Sequence, residues 1–138
     1  MFDANEVING LYGFVYDENG KQMQETKAFE ANVKYDKEEV LQAGKLMKGH
    51  KVIAASGSGT ITAHKIDSRL QRKAADNPHA KYNFSAKLKD PTSKGEEYIM
   101  FIGVSFDSAQ LMSFELGELG EIEMDFTFDD FKYLKSIS

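Results

Sequence analysis

Glu121-Ile122-Glu123-Met124-Asp125-Phe126-Thr127-Phe128 alternates without a break: Ile122, Met124, Phe126 and Phe128 fall on one side of an extended chain, and Glu121, Glu123, Asp125 and Thr127 on the other. A period of two with one apolar side predicts a strand that lends a single face to a core. The same rhythm recurs upstream. Phe29, Ala31, Val33 and Tyr35 alternate with Ala28, Glu30, Asn32 and Lys34, and Tyr82, Phe84, Ala86 and Leu88 alternate with Lys81, Asn83, Ser85 and Lys87. Tyr98 to Phe106 is apolar on both sides, which predicts a central strand covered on each side, with a helix as one candidate cover. Gly103 within it leaves room for a close neighbour. Leu11 to Tyr16 and Lys21 to Gln24 flank Asp17-Glu18-Asn19-Gly20, where the Asn-Gly pair offers the positive-φ positions of a tight hairpin. A weaker strand is read from Thr60 to Ile66.

One helix is expected. Asp67 or Ser68 caps the segment from Arg69 to Ala75, Leu70 and Ala74 share a face, and Asn77-Pro78 ends it. The fold class is therefore mainly β: a small β-barrel or sandwich with one flanking short α-helix and a long extended loop. That loop is residues 37–59, which carry Gly44, Gly49, Gly57 and Gly59 and show little alternation. Loops of such length are usually functional or disordered, so the stretch reads as an arm; a brief helical turn opened by Asp36 and Glu39 is the alternative. Val40, Leu41, Leu46, Met47, Val52 and Ile53 make the arm too apolar for a solvated linker, and Lys45, Lys48, His50 and Lys51 make it basic. Such residues need a surface to bury against.

Composition narrows the function. The 138 residues fit a single domain, 1–138, and 41% hydrophobic with 28% charged residues predicts a packed core rather than disorder or a coiled-coil rod. Seventeen Lys and Arg against 22 Asp and Glu leave a net charge of −5, so nonspecific attraction to nucleic acid or to an anionic membrane surface is not expected, and no specific nucleic-acid binding is assigned. Without cysteine there is no disulfide framework, thiolate nucleophile or Cys-based zinc site. The segment Met1 to Glu6 lacks the basic and apolar regions of a secretion signal, and no stretch is long enough to span a bilayer; the expectation is a cytoplasmic chain with no membrane anchor.

Catalytic patterns are incomplete. Gly44 to Gly49 has the glycine spacing of a phosphate loop, but His50 stands in the place of its lysine and Lys51 in that of its Ser or Thr. Gly57-Ser58-Gly59 is followed by Thr62 where a dinucleotide fingerprint needs glycine, so it reads as a turn. His50, His64 and His79 are too far apart for a helical metal pair, and Asn83-Phe84-Ser85 is a sequon inside a strand. No catalytic, cofactor-binding or metal residue is assigned. The concentrated feature is acidic: residues 114–131 carry Glu115, Glu118, Glu121, Glu123, Asp125, Asp129 and Asp130 with no Lys or Arg. A solvated strand face is the favoured reading; a glycosidase-like acid and base, or an acidic wall facing a pore or a basic partner, are the alternatives.

Phe29-Glu30-Ala31-Asn32-Val33, then Gly44, Met47, Gly49-His50-Lys51 and Gly57-x-Gly59-Thr60, resembles the tail tube (tail core) proteins of PBSX-like contractile phage tails and related R-type bacteriocins. The likeness continues through Lys65-Ile66-x-Ser68, Val104-Ser105-Phe106-Asp107-Ser108-Ala109 and Phe126-Thr127-Phe128-Asp129-Asp130-Phe131, in order and over most of the chain. The resemblance implies a non-enzymatic structural protein with a tail tube fold and no cofactor. Six copies form a ring, and rings stack into the inner tube. The sheath protein surrounds that tube, and tape measure, baseplate and tail-terminator proteins complete the apparatus. Assembly in the bacterial cytoplasm and release in a phage tail or bacteriocin particle follow.

Under that reading, Val40, Leu41, Lys45, Leu46, Met47, Lys48, His50, Lys51, Val52 and Ile53 form an inter-ring arm, while Glu121, Glu123 and Asp125 share an exposed acidic face turned to lumen or sheath. A monomeric small-molecule-binding β-barrel is the competing expectation.

Overall fold

A computed structural model describes residues 3–23, 26–66, 68–91 and 95–137. Two short 3-10 turns, Ala4–Glu6 and Gly10–Tyr12, precede β1 (Gly13–Tyr16), β2 (Thr26–Val40), β3 (Gly49–His64), α1 (Arg69–Asp76), β4 (Tyr82–Leu88), β5 (Glu97–Phe106), β6 (Glu121–Phe128) and β7 (Asp130–Lys135). The strands form one antiparallel sheet in the order β1-β4-β5-β6-β3-β2, with β7 paired to β5 beyond the end of β6. Among the described residues the fold is mainly β with one α-helix, as the sequence predicts.

Curling of the sheet makes the core. Phe29 on β2 lies 5.5 Å from the ring of Phe101 on β5 and 5.6 Å from Phe126 on β6, although β2 and β5 are not sheet neighbours. Phe101 meets Phe128 edge-on at 5.1 Å. These rings, with buried Val15, Ile61, Ala63, Phe84, Val104, Ile122 and Met124, fill the space inside the curl. The curl stops short of a closed barrel. Among the described residues no register pairs β1 to β2, and a cleft of about 430 Å³ opens between them beside Phe14, Phe29, Ile99 and Phe101.

Two glycine positions explain the strand paths. Gly103 has φ +70°, and Ile102 and Gly103 together face only Asn83 on β4, a bulge that lets both Phe101 and Val104 point into the core. A Cβ at Gly103 would lie 2.8 Å from Asp129 Cγ, so glycine admits the carboxylate at the bend from β6 into β7. Asp129 N donates to Ile102 O at 2.9 Å and Lys81 Nζ donates to Asp129 Oδ2 at 2.6 Å, which fixes that bend. Gly57 and Gly59, expected at a turn, instead lie inside β3 opposite Phe128 and Phe126. A Cβ at either would come within 2.6 Å of the facing ring, so the glycines are pads on which the aromatic side chains lie.

Other expectations are revised. The strand expected from Thr60 to Ile66 is β3, which begins at Gly49 and ends at His64. In the first turn Asn19 does not adopt positive φ; Gly20 alone does, at 78°. The loop closes because Gly20 N donates to Asp17 O and Asp17 N to Lys21 O, both at 3.0 Å, while Asp17 Oδ1 accepts from Asn19 N and Lys21 N. Leu11 belongs to a 3-10 turn rather than to a strand, Gln22 makes a single bridge to Tyr16, and Gln24 lies outside the described residues.

The helix runs to Asp76 and buries Leu70, Gln71 and Ala74. Ser68 is its N-cap without a side-chain capping bond, and Asp67 lies outside the described residues. Docking compensates for the missing cap: Gln71 Nε2 donates to the carbonyls of Gln110 and Leu111 at 2.7 and 2.9 Å, and Lys73 Nζ sits 4.9 Å over the Tyr82 ring.

Candidate functional site: a projecting ribbon and a polar sheet face

The stretch expected as an irregular arm, residues 37–59, is a ladder. β2 and β3 stay paired from Thr26 opposite Ala63 to Val40 opposite Gly49, and the helical turn considered at Asp36 to Glu39 is strand. Only the half of β3 from Gly57 to His64 also pairs with β6. Beyond Gly57 the two strands leave the body as a ribbon whose residues 34–40 and 50–56 are exposed on both faces. This is why its sequence does not alternate: neither face meets the chain's own core, so nothing imposes a period of two.

A register shift between Asp36 and Lys37 leaves Ile53 without an opposite residue, and residues 41–48 turn the chain, with φ +81° at Gly44 and Lys45 N donating to Gln42 O at 3.2 Å. Leu41, Leu46 and Met47 at the tip are at least 78% exposed, and Val40, Val52 and Ile53 on the strands are exposed as well. Lys48 pairs with Glu39 at 3.0 Å; Lys45 and Lys51 have no ion-pair partner among the described residues. His50 and Lys51 lie on β3 opposite Glu39 and Glu38.

The second feature is the outward face of β2, β3 and β6. Cross-strand rows there read Ala28, Thr62, Glu123; Glu30, Thr60, Asp125; and Asn32, Ser58, Thr127. No large apolar side chain interrupts these rows. Glu121, Glu123 and Asp125 are exposed while the alternate residues of β6 are buried. The face is internally bonded: Thr60 Oγ1 donates to Asp125 Oδ1 at 2.8 Å, Asn32 Nδ2 to Glu30 Oε1 at 3.0 Å, and Ser105 and Thr127 hydroxyls share a bond at 3.2 Å. Lys27 hydrogen-bonds Glu121, and that bond, with His64 nearby, holds the Glu121 carboxyl below the usual carboxylate range. Among the described residues no three His, Cys, Asp or Glu side chains converge as a metal set, and no helix is long and apolar enough to cross a membrane.

Two features escape a pattern-based reading. β7 is an edge strand with Phe131, Tyr133 and Leu134 between 38% and 54% exposed, its outer edge without a partner strand among the described residues. The segment joining β5 to β6 exposes Leu111, Met112, Phe114, Leu116 and Leu119. Apolar density in a non-periodic stretch, the signal that marks residues 37–59, is present there too.

A curled sheet with open strand edges, a projecting apolar ribbon and a solvated polar face defines a structural subunit built to meet other chains. The chain belongs to the phage tail tube protein family, whose model matches residues 1–135. It is 35% identical over 143 residues to the phage-like element PBSX protein XkdM of Bacillus subtilis, covering 98% of this chain and 95% of that one. The fold is also that of a subunit in the extended sheath-tube complex of the extracellular contractile injection system PVC (TM-score 0.73, 11% identity, 99% of this chain and 100% of that one). A subunit of the anti-feeding prophage tube-terminating cap has it too (TM-score 0.76, 9% identity, 99% and 96%). The chain is a structural component of a phage-type tail.

Proposed function

We propose that six copies of this chain close into a ring and that rings stack into the inner tube of a contractile phage tail or R-type bacteriocin. The projecting ribbon carries the reading. An isolated two-stranded ribbon is marginal in water, and this one exposes apolar side chains on both faces, so it needs a surface that its own body does not offer. Val40, Leu41, Lys45, Leu46, Met47, Lys48, His50, Lys51, Val52 and Ile53 act as the inter-ring arm. The edges of β2 and β7 take neighbouring strands within the ring, so the polar face with Glu30, Glu121, Glu123 and Asp125 lines a water-filled lumen.

The whole chain acts as one domain. Its partners are further copies of itself, a surrounding sheath, and tape measure, baseplate and terminator proteins; it catalyses nothing, is assembled in the bacterial cytoplasm and leaves in the particle. Reversing Lys45, Lys48 and Lys51 together to Glu tests the arm. Tubes shortened or lost in negative-stain images are expected, with the circular-dichroism spectrum unchanged; tubes of unaltered length would refute the arm's role.

A further inference from the structure

Resting on the stacking just proposed, we infer that the ribbon tip of one copy seats on the β5–β6 segment, residues 107–120, of the copy it meets. The two surfaces lie at opposite ends of β3. The ribbon leaves the body where Gly57 faces Phe128, and the β5–β6 segment joins β6 where His64 faces Glu121. Repetition of the subunit along the direction of β3 therefore brings tip to segment, a head-to-tail contact that propagates.

Their chemistry is complementary. Residues 41–48 hold Lys45, which has no ion-pair partner among the described residues, and Lys48, which is paired with Glu39, and no carboxylate, whereas residues 107–120 hold Asp107, Glu115 and Glu118 and no cation. Both surfaces are apolar and uncovered: Leu41, Leu46 and Met47 on the tip, and Leu111, Met112, Phe114, Leu116 and Leu119 on the segment, each at least 74% exposed. Apolar burial supplies the attraction, and the Lys-to-carboxylate pairing sets register and excludes tip-to-tip contact.

The segment is held ready at several backbone points. Gln71 Nε2 fixes the carbonyls of Gln110 and Leu111, Lys65 N donates to Gly120 O at 2.8 Å, and Glu118 N donates to Glu115 O at 3.1 Å beside Gly117 at φ +86°. Between these anchors and the body lies a groove of about 730 Å³ lined by Lys65, Ser68, Gln71, Met112, Phe114 and Leu119, among others. Lys65 is the cation on its wall, and exposed Leu111 and Leu119 line it as well. A backbone held in place with side chains left in water loses less entropy on docking than a free loop would.

The absence of cysteine makes the test direct. Leu46→Cys and Leu116→Cys chains, mixed and mildly oxidised, should give a disulfide-linked heterodimer that exceeds either homodimer about tenfold. Lys45→Glu with Lys48→Glu, and separately Glu115→Lys with Glu118→Lys, should each lower tube yield about tenfold or more, and mixing the two variants or combining all four changes should restore it. Tubes of normal length from both charge variants, or rings without the mixed disulfide, would overturn this pairing and leave ring stacking standing. A strong mixed disulfide from material that never forms rings would support the pairing and refute the stacked-ring reading instead.

Discussion

Gly59 faces Phe126 across β3 and β6, and a Cβ there would lie 2.6 Å from the ring and overlap the Glu30 carbonyl. Gly59→Val is expected to destabilise the folded chain by about 1–3 kcal/mol, the usual cost of overpacking, and to lower its melting midpoint by several degrees; an unchanged midpoint would mean that the ring is free to move. Charge at single residues gives a second test. Lys135 donates to Glu96 at 2.6 Å and Lys89 lies 3.8 Å away, and the Lys135 hydrogen bond, partly opposed by burial, lowers the Glu96 carboxyl from its ordinary 4.5. A carboxylate whose pKa falls on folding adds stability that is fully present above its unfolded value and is lost as pH drops through the folded one. The melting difference between the native chain and Glu96→Gln should therefore hold between about pH 5 and pH 8 and shrink below about pH 4.5; a constant difference at every pH would contradict the pairing.

Elements that bury one face were legible, and those that bury none were not. β2, β4 and β6 announce themselves because a core on one side forces a period of two on their sequence. The ribbon's distal half escapes because water lies on both sides. Its residues signal need for a partner through Val40, Leu41, Val52 and Ile53 without revealing that they are strand. β7 escapes for a related reason: the bend at Asp129 depends on Gly103, a contact distant in sequence. Gly57 and Gly59 resemble a turn in sequence because glycine in a strand carries no local mark of the aromatic ring it accommodates.

The same logic predicts how separable the ribbon is. Asp36 and Ala54 are cross-strand partners, so an Asn-Gly turn can replace residues 37–53. The shortened chain should keep its fold, with stability changed by less than about 1 kcal/mol, and lose the ability to form tubes. Loss of the fold itself would show that the ribbon stabilises the body.

At the scale of the molecule, charge and apolar surface pull in opposite directions. In the proposed ring, six copies at −5 each would bring roughly −30 together, so association would work against long-range repulsion. Raising ionic strength from about 0.01 M to about 0.15 M shortens the screening length from about 30 Å to about 8 Å and should increase ring yield, because contact-distance Lys-to-carboxylate pairs are screened less than the net field. Lower yield in salt would place attraction between charges, rather than burial, at the centre of assembly. The most direct test of the whole account is electron microscopy of the purified chain at high concentration. Sixfold rings and stacked tubes, with the ribbon of each subunit reaching the next ring, are the predicted result. A uniform field of monomers whose ribbon lies against its own body would contradict it.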